Sequence, residues 1–161
     1  MKKQEFLSLI KKQGRLKLVE PSEEIKQSYI KKAEDCFKSA KILHENRLYE
    51  NSVIQSYFCM YNSLLAKLLK IGIKSENHSA SIILLKELLN EGELYKIISS
   101  AKERRIDKQY YIETSESSKL NEGSSKEMII KAEEFLLKMK MLLNSMNNDK
   151  INNLRKSFQE I

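Results

Sequence analysis

The sequence has no tryptophan, one proline, four glycines, two cysteines and two histidines among its 161 residues. Each scarcity excludes something. With so little proline and glycine there are few natural helix breaks, and a chain dominated by Leu, Ile, Lys, Glu and Ser is poor in strand signals. Two histidines and two cysteines offer no zinc-ligand spacing, so no metal site and no cofactor are expected. There is no phosphate-cradling glycine loop and no nucleophile elbow. No run reaches the ~20 apolar residues of a membrane span; the nearest, "LLAKLLKIGI", holds two lysines. Residues 1–10 start basic but lack an apolar core of signal-peptide length. Cys36 and Cys59 fall on separate apolar helical faces and read as reduced core thiols. Together these absences point to a cytoplasmic protein that makes no membrane contact.

What is present is charge, unevenly spread. The net charge is +7. Residues 1–17 contribute +5 of it and residues 96–111 contribute +3, while 18–95 carry −1 and 112–161 are neutral. Clustered positive charge attracts polyanions; the alternative is an ordinary lysine-rich solvated surface.

The length suits one domain with a real core, about 70% of the unfolded surface being buried at this size. No internal repeat is visible. The expected organisation is a short N-terminal helix and connector over 1–21, a helical bundle over 22–145, and a tail or short helix over 146–161. "RLKLVEPS" reads as an extended connector, because the residue before Pro21 avoids the helical region. Ser22 is a natural N-cap, with Glu23 and Glu24 in the first turn. Ile25, Tyr29, Ala33, Phe37 and Ala40 then form one apolar stripe of a first long helix running to about Glu45. A second, central helix is predicted over Tyr49–Lys70, closed by Gly72; its apolar coverage is wide enough for contact on more than one side. Asn77 or Ser75 caps a third helix to about Asn90, which Gly92 breaks. A fourth starts near Glu93. Residues 113–124, "ETSESSKLNEGS", read as a mobile loop, and Ser124 or Ser125 caps a last long helix over about Lys126–Asn144. "NSMNNDKINN" then loosens the chain into a frayed tail. Long amphipathic helices joined by short connections predict an all-α fold, an antiparallel up-and-down bundle of four to five helices.

The densest polar stretch is Glu103–Tyr111, "ERRIDKQYY". On a helix Arg104, Asp107, Lys108 and Tyr111 share one face, while Arg105 neighbours Lys108 and Gln109. This is either a solvated face with a local Arg104–Asp107 ion pair, or a groove for phosphate. Of the histidines, His44 suits the C-terminal end of its helix. His78 begins a helix, where its neutral form is favoured.

In "KAEDCFKSAKIL", in Arg47, Tyr49 and Glu50 before the aromatic-rich "QSYFCMYNSLLAKLL", in "GIKSENHSASIILLKEL" and in "RRIDKQYY", taken in that order, the chain resembles the HEPN family (higher eukaryote and prokaryote nucleotide-binding domain) over about residues 22–145. The resemblance implies a four- or five-helix bundle, commonly a homodimer, often paired with a nucleotidyltransferase in a toxin–antitoxin or defence system. It implies a nucleotide- or RNA-binding surface built from Arg104, Arg105, Lys108, Tyr110, Tyr111 and His78. In the ribonuclease members an arginine holds the scissile phosphate and a histidine four to six residues later helps to move the 2′-hydroxyl proton, without metal.

Here no histidine follows either arginine; Tyr110 and Tyr111 stand at that spacing. A tyrosine of pKa near 10 is only about 0.1% deprotonated at neutral pH, and general-base catalysis contributes about 10²–10⁴-fold. Three readings follow. One is a binding or assembly module. Another is a divergent metal-independent ribonuclease using Arg105 and Tyr110, with His78 brought near by the fold. The last is a helical scaffold with no nucleic-acid role.

Overall fold

The computed structural model describes residues 2–110 and 121–161, apart from the side chains of 106–110. In chain order the described elements are α1 (Lys3–Lys12), β1 (Leu16–Leu18), α2 (Glu23–Glu45), α3 (Tyr49–Ile71), β2 (Ile73–Ser75), α4 (His78–Glu87), α5 (Gly92–Tyr110), α6 (Glu122–Asn144) and α7 (Asn148–Glu160). The fold is all-α, a bundle of long helices with shorter ones closing its ends.

The local rules explain most boundaries. Ser22 caps α2 by accepting from the Ile25 amide at 3.2 Å. Three residues, 46–48, turn α2 into α3, with Arg47 in the left-handed region at φ 61°. Gly72 ends α3 at φ 82°. Asn77 caps α4 by accepting from the Ala80 amide at 2.9 Å.

α3 is the centre of the molecule. Its buried residues include Val53, Tyr57, Cys59, Met60, Leu64, Leu68 and Ile71, and it packs on α2, α5, α6 and α7. Much of its broad apolar surface is therefore covered within the chain, while Phe58 and Leu65 are only partly buried. One continuous core joins Leu7 of α1, Leu16 of β1, Tyr57, Leu84 of α4, Ile98 of α5, Phe135 of α6 and Phe158 of α7.

Four expectations are corrected. The connector before Pro21 contains a strand: Leu16–Leu18 pairs antiparallel with Ile73–Ser75, Leu18 opposite Ile73. Gly92 does not break α4; Asn90 does so, in the left-handed region at φ 56°, and Gly92 is the first residue of α5. α6 is capped by Asn121, whose side chain accepts from the Ser124 amide at 2.9 Å, and so begins earlier than Ser124 or Ser125 would allow. The C-terminal stretch does not fray. Asn147 caps α7 and Phe158 is buried, so one large apolar side chain anchors the helix. Of the loop expected over 113–124, residues 113–120 lie outside the described residues.

The two ends of the chain lock together beside Gly72. Arg155 Nη1 of α7 lies 2.9, 3.0 and 3.2 Å from the carbonyl oxygens of Val19, Ile71 and Gly72. A cation at the C-terminus of α3 satisfies carbonyls that the helix leaves open and complements its dipole. Lys11 of α1 donates to the Phe158 carbonyl at 2.9 Å. This clamp holds the β1–β2 pair, and β2 leads directly into the cap of α4.

Candidate functional site

Asn77 is the N-cap of α4, so His78 is its first residue and its position is fixed by the cap. The imidazole faces α3. Its Nδ1 is 2.8 Å from the Tyr57 hydroxyl, and its ring stacks on Tyr61 with centroids 3.8 Å apart and planes 16° apart. Tyr57 and Tyr61 are one helical turn apart and their centroids are 6.0 Å apart, with Tyr57 6.1 Å from His78, so the three rings form a compact cluster. Below it, the Tyr61 hydroxyl reaches Ser81 Oγ at 3.3 Å, and Ser81 reaches Ser75 Oγ at 2.8 Å.

α5 supplies the cations. The Arg105 guanidinium carbon stands 5.0 Å from the Tyr57 ring centre and 5.4 Å from that of Phe58, within cation–π range of both. Its Nε is closed off from water and has no hydrogen-bond partner among the described residues. One turn earlier, Lys102 Nζ donates to Ser79 Oγ at 2.6 Å. Arg105 and Lys102, three residues apart, sit on the same side of α5.

The electrostatics follow from this crowding. Burial lowers the His78 pKa from its ordinary value, and the charges of Arg105 and then Lys102 push it the same way. The histidine is therefore neutral at pH 7 and able to accept a proton. Burial also lowers the Lys102 pKa, with Arg105 adding repulsion and Glu103 partly opposing it. Burial raises the Tyr57 pKa far above that of a free phenol, against the pull of Arg105, so Tyr57 stays protonated. Two cations that repel one another beside a neutral imidazole form a place that an anion would relieve.

Residues 27–142 match the HEPN domain family. The chain belongs to the HEPN domain family. It is also 30% identical, over 121 residues, to the Methanocaldococcus jannaschii protein named "Putative toxin MJ0605"; the alignment covers 73% of this chain and 87% of that one.

Of the residues the sequence singled out, this HEPN bundle brings His78 and Arg105 together. Arg104 turns the other way, its Nη1 3.5 Å from Glu127 Oε2 of α6. The side chains of Asp107, Lys108 and Tyr110, and all of Tyr111, lie outside the described residues. Sequence reasoning missed Tyr57, Tyr61, Phe58, Lys102 and Ser79. The tyrosines read as an apolar stripe; the available signal was that two buried phenols one turn apart each need a hydrogen-bond partner.

The other histidine and the cysteines take no part. His44 Nδ1 is 2.9 Å from Ser125 Oγ and its ring lies against Tyr49. Cys36 and Cys59 are free, and burial pushes both thiols up, that of Cys59 to about 12. Among the described residues no group of His, Cys, Asp or Glu could hold a metal ion, and no helix is long and apolar enough to cross a membrane.

Proposed function

We propose that this HEPN domain acts on RNA as a toxin-like module, binding a phosphodiester at Arg105 and Lys102 and cleaving it with His78 as proton acceptor. The observation that supports this most is the His78–Tyr57–Arg105 arrangement: α4 supplies the histidine that α5 lacks. With His78 Nδ1–H donating to the Tyr57 oxygen, Nε2 keeps its lone pair for the substrate. The RNA 2′-hydroxyl gives its proton to Nε2 as its oxygen attacks phosphorus. The bond from phosphorus to the 5′-oxygen breaks, and that oxygen takes a proton from water. The products are a 2′,3′-cyclic phosphate and a 5′-hydroxyl. Arg105 and Lys102 stabilise the charge that builds on the phosphoryl oxygens.

The relative's name supports the toxin reading. The family resemblance adds a second copy of the chain and a nucleotidyltransferase as partners. Ile130, Leu137 and Met141, exposed on one stripe of α6, suit such a contact better than α3 does.

The test is labelled single-stranded RNA incubated with purified protein in EDTA. The expected result is cleavage to cyclic-phosphate ends, lost in Arg105→Ala. RNA that is retained in gel shifts but stays intact would reduce the site to a binding surface. RNA that is neither cut nor retained at 50 mM salt, where phosphate contacts are strongest, would leave a scaffold.

A further inference from the structure

Next to this site lies a cavity of about 240 Å³ between α4 and α5, lined by Ser79, Ile82, Ile83, Tyr95, Ser99 and Lys102, with Glu103 completing the wall. It is joined to the site by residues rather than by proximity alone. Ser79 follows His78 directly, and Lys102 belongs to both places, being hydrogen-bonded to Ser79 and repelled by Arg105. The size is just below the roughly 300–1,000 Å³ of ordinary small-molecule pockets, which suits one planar heterocycle and no more. The walls combine an aromatic ring, two branched aliphatic side chains and two hydroxyls, the mixture an unstacked base needs.

The surrounding charge comes from an unexpected quarter. Lys3 of α1 stands with its Nζ 4.2 Å from the centre of the Tyr95 ring, and Lys86 of α4 lies 5.9 Å from it. The neighbouring Lys3 ammonium lowers the Tyr95 pKa from its ordinary value. Thus the basic N-terminal segment, which the Arg105–His78 site does not use, is folded back against the cavity.

We infer that this cavity is a base subsite: it takes the unstacked base of the nucleotide next to the phosphate held at Arg105, against Tyr95, while Lys3 and Lys86 meet the flanking phosphate. The inference rests on the RNA reading above. It makes single-stranded RNA the substrate class, because a base within a duplex cannot enter the cavity. It also gives the basic α1 a task at the site.

The experiment measures binding of wild type and variants to a labelled single-stranded RNA decamer made uncleavable by 2′-O-methylation. Tyr95→Leu removes the ring but keeps apolar bulk, and Ser99→Leu plugs the cavity on a helix that accepts leucine readily. Thermal melts confirm that each variant is folded. Both are expected to weaken binding about 5- to 100-fold, the range for loss of one base–aromatic stack. If both bind as tightly as wild type while Arg105→Ala binds weakly, the subsite is wrong and the phosphate site stands. If all three bind as tightly as wild type, both are wrong.

Discussion

Replacing His78 by alanine is expected to lower the rate of RNA cleavage about 10²–10⁴-fold, the contribution of a positioned general base, while RNA affinity changes little. The separation of the two effects carries the argument. Affinity comes from cations, and His78 is neutral at pH 7, so its loss removes no charge that a phosphate feels. Turnover needs a group that accepts a proton near neutrality. Tyr57 cannot, because burial holds its proton tightly. Lys102, although its pKa is lowered, is engaged with Ser79. Arg105→Ala should lose both binding and turnover, since the cation is what holds the phosphate. Were a tyrosine at the end of α5 the base instead, His78→Ala would leave the rate almost unchanged. Single-turnover rates paired with binding constants for the two variants distinguish these outcomes.

Gly72→Ala is expected to destabilise the fold by about 3–5 kcal/mol, at the severe end for a single substitution. Two effects combine. At φ 82° a side chain costs about 1–2 kcal/mol from the left-handed backbone alone. A Cβ there would also stand 2.1 Å from Arg155 Nη1 and 2.5 Å from the Val19 carbonyl oxygen. The arginine can move aside, but only by giving up its three carbonyl contacts; the Val19 oxygen is backbone and cannot. At about 2–4 °C per kcal/mol for a chain of this size, the melting temperature should fall by roughly 6–20 °C. Gly14 is the internal control. It too has a positive φ, 71°, but a Cβ there meets nothing within 4 Å, so Gly14→Ala should show the backbone strain alone. Adding Arg155→Ala to Gly72→Ala should not restore the melt to the Gly14→Ala level, because the Val19 contact remains. Equal melts for the two glycine variants would mean that neither Arg155 nor the Val19 carbonyl crowds position 72.

The bundle was legible because its signals are local. Ser22, Gly72 and Asn77 each do what a cap residue does, and the apolar stripes of α2 and α3 have the helical period. What was hidden depends on partners distant in sequence. A three-residue strand, Leu16–Leu18, has too few residues to show a pattern; it exists because Ile73–Ser75 is there to pair with it. α7 looks polar and Asn-rich, and it holds because Phe158 joins the core and Arg155 finds three carbonyls lying 83 to 136 positions earlier. The site divides in the same way. Arg105 could be singled out from its neighbours, and His78 from its rarity. That the two converge on Tyr57 depends on how α4 and α5 meet α3, and on the cap at Asn77. Arg104 and Arg105 are adjacent in sequence yet diverge, one to Glu127 and one to the aromatic cluster, because successive residues on a helix point about 100° apart.

The most direct measurement is the pH dependence of single-turnover RNA cleavage in EDTA. Burial and two neighbouring cations lower the His78 pKa, so its proton-accepting form persists to more acid pH than in a free histidine. The rate should rise from the acid side with a midpoint below about 6.5, the ordinary histidine value, and then level off through neutrality, and this limb should vanish in His78→Ala. A rate that instead climbs steadily toward pH 10, and does so equally in His78→Ala, would contradict a working histidine beside Arg105.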